Sequence, residues 1–147
     1  YDWHRLTYLT IGGSEQFDDI NFTLEPAGTI SGVVYTSDSA ETLPDIYIGA
    51  SIASGAEVAM DWGAISNEKG SYTIGDLPYG EYKVWAGYGE ASRDNAVFRA
   101  EYYQDKKSWE TADTVVVSAA MPKATDIVFT LDAVSRIFTG LAVQEGE

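Results

Sequence analysis

The sequence predicts an all-β domain built as a sandwich of antiparallel sheets. Short runs rich in β-branched and aromatic residues recur at intervals of about 8 to 12 residues, and apolar and polar side chains alternate within them. Gly, Pro, Asn and Asp, which favour turns, lie between these runs. No long stretch has the apolar period of an amphipathic helix. Many short strands without helices are typical of a β-sandwich.

In the first half of the chain, strands are predicted at residues 6–11, 20–24, 28–35, 46–50 and 57–66. The fourth run shows the pattern most clearly, because Ile46, Ile48 and Ala50 alternate with Tyr47 and Gly49. Side chains of a strand point to opposite faces in turn, so the three aliphatic residues share one face. The polar segments that follow each run are expected to be loops.

In the second half, strands are predicted at residues 71–74, 81–85, 97–103, 114–118, 126–131 and 137–143. Residues 75–80 join the first two of these through a turn in which Pro78 fixes φ and Gly80 is expected to adopt a positive φ. Tyr82 and Val84 share the apolar face of their strand, and Lys83 points to the other face, where we expect it to be solvated.

Two hexapeptides near opposite ends of the chain are almost identical. Residues 126–131 (DIVFTL) repeat residues 19–24 (DINFTL) at an offset of 107 residues. At the same offset, the run at 114–117 aligns with the run at 7–10. A repeat of this length has the size of a whole domain.

The repeat divides the chain into three parts. Residues 27–133 are expected to form one complete sandwich. Residues 1–26 correspond to the closing strands of a preceding repeat, and residues 134–147 to the opening strand of a following one. The predicted fold therefore has extra flanking strands at both termini. Alone, such strands would expose apolar faces and unpaired backbone, so something must cover them.

The central part is similar to a known family. The residues that carry the resemblance are 28–34, Pro44, 70–74, 77–84, Tyr102 with Tyr103, and 126–131. Their Gly-x-Tyr and Leu-Pro-x-Gly-x-Tyr pattern resembles the carboxypeptidase regulatory-like domain, a transthyretin-like or CnaB-like sandwich of the immunoglobulin-like class. The resemblance implies a non-catalytic structural, adhesive or accessory module of secreted and surface proteins, here a repeat or subunit of a bacterial extracellular fibre or surface protein.

Composition excludes several kinds of function. The chain has 23 acidic and 9 basic residues and a formal net charge of −14, which disfavours binding to nucleic acid. No apolar run is long enough to insert into a membrane. Cysteine is absent, and the single histidine, His4, lies outside residues 27–133, so thiol catalysis, a Ser-His-Asp triad and a multi-histidine metal site are excluded. We therefore expect no enzymatic activity, no metal and no cofactor.

The leading functional hypothesis is a structural subunit of an extracellular or cell-surface filament or array, joined head to tail by strand addition between copies or neighbouring repeats. The expected contact residues are the apolar positions of the flanking strands. They are Tyr8, Leu9, Ile11, Ile20, Phe22 and Leu24 near the start, and Ile137, Phe138 and Leu141 near the end.

The alternative is a carbohydrate-binding or accessory module of a larger secreted protein, with glycans as partners. Trp62, Trp85 and Trp109 are the candidate sugar-stacking residues, although large aromatics also pack well in sandwich cores. Residues 21–23 form an N-x-[ST] sequon, which makes Asn21 a candidate glycosylation site or an ordinary strand residue.

Overall fold

The computed structural model describes residues 20–54, 62–87 and 98–134, together with positions 10, 12, 13, 16 and 18. The described residues form nine strands and no helix. The strands are β1 (Gly28–Thr36), β2 (Tyr47–Ile52), β3 (Trp62–Ile65), β4 (Ser71–Leu77), β5 (Gly80–Gly87), β6 (Glu101–Tyr102), β7 (Thr114–Val117), β8 (Lys123–Ala124) and β9 (Phe129–Leu131).

The strands form two sheets that enclose one apolar core. The first sheet has the order β4-β1-β8, and β9 also pairs with β1. The second has the order β3-β2-β5-β6, and β7 also pairs with β5. Ile30 and Val34 of β1 face Ile48, Tyr82 and other buried residues of the second sheet across the core. The predicted all-β sandwich is confirmed.

The first sheet is mixed and not purely antiparallel. Both β8 and β9 pair with β1 in parallel, whereas β4 pairs with it antiparallel. The parallel pairing arises because the chain leaves β7 in the second sheet and crosses to β1 before forming β8 and β9. Parallel strands need such a crossover.

The connection between β4 and β5 crosses from one sheet to the other. The two predicted strands are present, but β4 pairs with β1 and β5 pairs with β2, so they do not form a hairpin. The positive φ of this connection belongs to Asp76 (56°), and the prediction of a positive φ at Gly80 was wrong. Gly80 is the first residue of β5, where it pairs with Val117.

The predicted strand at 126–131 is interrupted. Asp126 adopts a left-handed φ of 62°, and only Phe129–Leu131 forms a strand. Before it, the Ile127 N–H donates to the Ser31 carbonyl at 3.1 Å. The Ile127 carbonyl accepts a hydrogen bond of 2.6 Å from the Tyr72 hydroxyl and lies where a side chain at Gly32 would project, since a Cβ there would be 1.9 Å away.

The flanking strand predicted at 20–24 is not a strand in the structure. These residues belong to no sheet, because no strand of the described chain lies alongside them. The segments predicted at 57–66 and 97–103 yield only the short strands β3 and β6 within the described residues. The segments predicted at 6–11 and 137–143 lie outside the described residues, except for position 10.

Candidate assembly surfaces

The two copies of the repeated hexapeptide have opposite environments. In the second copy, Phe129 is 2% exposed and Leu131 is fully buried. In the first copy, Phe22 is 83% exposed and Leu24 is 87% exposed. The aliphatic residue at the start of each copy follows the same pattern, because Ile127 is 7% exposed and Ile20 is 48% exposed. Side chains that complete the core in one copy are thus in solvent in the other.

The chain enters and leaves the sandwich at opposite ends. β9 is parallel to β1, with Val34 paired to Phe129 and Thr36 paired to Leu131. The exit from β9 therefore lies beside the C-terminal end of β1, and residue 27 enters at its N-terminal end. We call these the exit end and the entry end.

Only part of the predicted interface lies within the described chain. Ile20, Phe22 and Leu24 are exposed. The other predicted contact residues, Tyr8, Leu9, Ile11, Ile137, Phe138 and Leu141, lie outside the described residues. Asn21 is exposed, and its glycosylation remains a prediction.

An apolar cleft of about 560 Å³ lies at the entry end. Its apolar lining comes from the segment before β1, with Leu24 and Pro26, and from the sandwich, with Ile52, Trp62 and Pro78. The segment that precedes β1 thus passes over the ends of β2 and β3 and the β4–β5 connection.

The three candidate sugar-stacking tryptophans do not form one platform. Trp62 lies on β3 at the entry-end cleft, with its ring edge-on to Tyr82 at a centroid distance of 5.8 Å. Trp85 lies on the opposite, outer face of the second sheet, because its neighbours Val84 and Ala86 point into the core. Trp109 follows β6 and is half-buried.

Aromatic side chains cover much of the outer face of the second sheet. Trp85 packs over Gly49, where an added Cβ would lie 2.6 Å from the indole, and Tyr47 packs over Gly63 in the same way. The Tyr47 and Trp85 rings are 5.3 Å apart. Their ring faces therefore serve in part to cover glycine backbone, as happens across neighbouring strands. Glycan binding at this surface remains a prediction.

Lys83 is not the solvated lysine that alternation predicted. Its ammonium lies 5.1 Å from the centroid of the Trp109 ring, a cation–π contact, and donates to the Trp109 carbonyl. The lysine thereby fixes the loop after β6 to the outer face of β5.

A polar pocket of about 350 Å³ lies at the exit end. Glu101 lines this pocket, and its carboxylate is buried. Glutamate is almost never fully buried unless its charge is paired. Oε2 accepts a hydrogen bond of 2.7 Å from Lys107, whereas Oε1 is buried and has no hydrogen-bond partner among the described residues. Asp105 and Asp132 also line the pocket.

Burial raises the pKa of the Glu101 carboxyl, and the hydrogen bond from Lys107 opposes this only in part. The pKa of Lys107 is raised in turn by that hydrogen bond. Sequence reasoning missed this site, because a single carboxylate in a two-residue strand leaves no pattern. The pocket depends on residues from three distant segments.

Within the described part of the chain, no group of three or more His, Asp or Glu residues is arranged to hold a metal ion. The same residues include no helix that could cross a membrane.

No protein-family model matches the sequence. No characterised protein matches it significantly either. Among solved structures, the chain resembles BcpA, the major pilin subunit of Bacillus cereus, with a TM-score of 0.47 and 17% identity over 73% of this chain and 30% of that one. A variant of the same subunit gives a TM-score of 0.48 and 17% identity over 71% and 30%. The match thus spans 30% of the length of these structures.

Proposed function

We propose that the chain is a non-catalytic structural unit of an extracellular filament or surface array, and that units join end to end through segments 1–26 and 134–147. In this arrangement residues 19–24 close a neighbouring unit, as residues 126–131 close this one. The opposite burial of the two hexapeptides is the observation that carries the proposal.

The free energy available to such a contact is substantial. Full burial of a Phe or Leu side chain contributes about 1.5–3 kcal/mol. Phe22 and Leu24 are exposed in the isolated chain, so neither gains this free energy of burial. In the matching copy, Phe129 and Leu131 bury their side chains and pair their backbone with β1. A neighbour that offered the same surroundings would recover both contributions.

The end-to-end direction follows from the parallel pairing of β1 and β9. Since the entry and exit lie at opposite ends, a contact between them joins different surfaces of two units. A heterologous contact of that kind extends in a line unless the rotation between units closes a ring. In a longer polypeptide, residues 19–24 close the preceding repeat directly. In a separate copy of this chain residues 129–131 already occupy the place beside β1, so residues 19–24 of the next copy enter it only by displacing them.

The proposal is tested by placing charges on the exposed copy. The double variant Phe22→Asp with Leu24→Asp removes the two apolar contacts, and Thr23→Asp is the matched control. Thr23 corresponds to Thr130, whose side chain is exposed in the closed copy and lines the polar pocket at the exit end, so an Asp at this position leaves the two apolar contacts in place. Association is measured by sedimentation equilibrium and by electron microscopy.

We expect the double variant to weaken association at least about a hundredfold, as the loss of two buried side chains implies. The control should assemble within a few-fold of wild type. Thermal unfolding of the monomer should be the same in all three proteins, because the substituted side chains are exposed. Wild-type-like assembly of the double variant would refute the proposal.

A further inference from the structure

The Glu101 pocket has an unmet requirement for a hydrogen-bond donor. Buried carboxylate oxygens are almost always paired, and one that lacks a partner calls for a water, an ion or a donor group. Glu101 is 4% exposed, and its Oε1 is buried without a partner among the described residues. The residue lines a pocket together with Thr130, Asp105 and Asp132. The pocket therefore suits a donor that carries a positive charge.

The charge balance in the pocket points the same way. Three carboxylates, from Glu101, Asp105 and Asp132, face a single ammonium, from Lys107. Lys107 binds only Oε2, and its own side chain is half-exposed. A second ammonium at Oε1 would reduce the negative excess and complete the hydrogen bonding of Glu101.

A chelated metal ion fits less well. Hard divalent cations need several carboxylate oxygens within one coordination sphere. The acidic residues of the described chain are not arranged in such a group. A lysine ammonium needs only one or two acceptors and brings a long flexible stem that can reach into a recess.

The entry end presents one exposed lysine of this kind. Lys123 of β8 pairs with Thr29, close to the first residue of β1. The Glu101 pocket lies at the other end of β1, because Thr130 pairs with Tyr35 and the Ser37 N–H donates to the Leu131 carbonyl at 3.0 Å. Lys123 is exposed and forms no ion pair with another described residue.

We propose that the Glu101 pocket at the exit end of one unit binds the Lys123 ammonium at the entry end of the next. This inference rests on the proposed end-to-end association and names a polar contact within it. The Lys123 ammonium enters the pocket beside Asp132 and pairs with the Glu101 carboxylate. Because each unit carries a net charge of −14, units repel one another, and one matched lysine fixes orientation and partner.

The test uses charge reversal at exposed positions. Lys123→Asp removes the donor, and Asp132→Lys places a competing ammonium at the rim of the pocket. Lys69→Asp is the control for net charge, because Lys69 is exposed in the turn before β4, at the exit end but outside the lining of the Glu101 pocket, and its substitution changes the net charge equally. Dissociation constants are measured by sedimentation equilibrium at low and high salt.

Each single reversal should weaken association by about tenfold or more at low salt, the scale of a charged hydrogen bond. The chain that carries both reversals should recover most of this loss, since each junction then again pairs opposite charges. The control should stay within about twofold of the wild type. Monomer unfolding curves should be unchanged by all of these exposed substitutions.

A second variant, Glu101→Gln, tests the buried acceptor itself, and it too should weaken association. If Glu101→Gln and Lys123→Asp both assemble like the wild type, the pocket holds only water and the inference fails, while the Phe22 and Leu24 result still decides the proposed function. If added CaCl2 restores assembly of Lys123→Asp only when Glu101 is present, the ligand is a free cation and Lys123 is wrongly assigned. A wild-type chain that never associates removes both proposals.

Discussion

The residue Glu101 shows how the surroundings of a side chain set its chemistry. Desolvation disfavours the charged carboxylate, and the exposed end of Lys107 returns too little attraction to cancel it, so the pKa of Glu101 is raised. A glutamate on an open strand would not behave in this way. The charged carboxylate therefore destabilises the fold at this position.

The effect of the buried Glu101 charge on folding stability can be tested by changing the pH. In the unfolded chain Glu101 loses its proton around its ordinary pKa of 4.5, and in the folded chain it does so at a higher pH. Between these two values the folded state binds more protons, so acidification adds stability through this group. The cost is fully present above the folded pKa and disappears below the unfolded one.

We therefore predict a pH-dependent difference between the wild type and Glu101→Gln. As the pH falls from 7 to 4, the free energy of unfolding of the wild type should rise relative to that of the variant. Urea denaturation at several pH values measures this. A difference that is flat, or that falls on acidification, would show that Lys107 fully compensates the buried charge.

At the scale of the element, β1 organises the first sheet. It pairs with β4 on one side and with β8 and β9 on the other. At its centre, Gly32 lets the Ile127 carbonyl occupy the space of a side chain and accept from Tyr72, which lies on the opposite neighbour β4. Because Gly32 has no Cβ, a hydrogen bond can join Ile127 on one side of β1 to Tyr72 on the other side.

We predict that Gly32→Ala destabilises the domain by about 1–3 kcal/mol or more, the usual cost of overpacking a core. An added Cβ would lie 1.9 Å from the Ile127 oxygen, so backbone must move. Gly75→Ala in β4 is the control, because a Cβ there meets nothing within 4 Å. The control should be neutral or slightly stabilising. Chemical denaturation compares the two, and equal effects would contradict this role of Gly32.

Strands were predicted correctly from the sequence where apolar and polar side chains alternate and where the folded chain provides a neighbouring strand. The strands at 28–35, 46–50, 71–74, 81–85 and 114–118 are confirmed, because burial of alternate residues is a local signal. The left-handed residue Asp126 broke the strand at 126–131, and alternation does not encode φ. Residues 20–24 have the same pattern as a buried strand, yet pairing requires a neighbour that no local pattern reveals.

The candidate contact residues also differ in whether a local sequence pattern reveals them. Phe22 and Leu24 were predicted, because the repeat marks them as counterparts of core residues. The pocket around Glu101 could not be predicted from the sequence. It forms only when the ends of β1 and β9 and the chain around β6 come together. Such a site depends on topology, which includes a parallel pairing that the sequence did not indicate.

At the scale of the whole molecule, the parallel path of β1 and β9 fixes the length of one unit. The chain crosses the sandwich along β1, turns back through the other strands, and leaves at the far end through β9. In the proposed end-to-end assembly, each unit would advance the fibre by about the length of β1 plus a short linker. The linker between the repeated hexapeptide and β1 is residues 25–27.

This geometry predicts an axial repeat of roughly 40 Å. The nine residues of β1 span about 30 Å at the usual rise of a strand. Three linker residues add at most about 10 Å. Fibre diffraction or helical reconstruction of assembled protein measures the repeat. A rise near 20 Å would mean that units stack side by side through their sheets, a geometry that leaves Phe22, Leu24 and the two ends of β1 outside the contact.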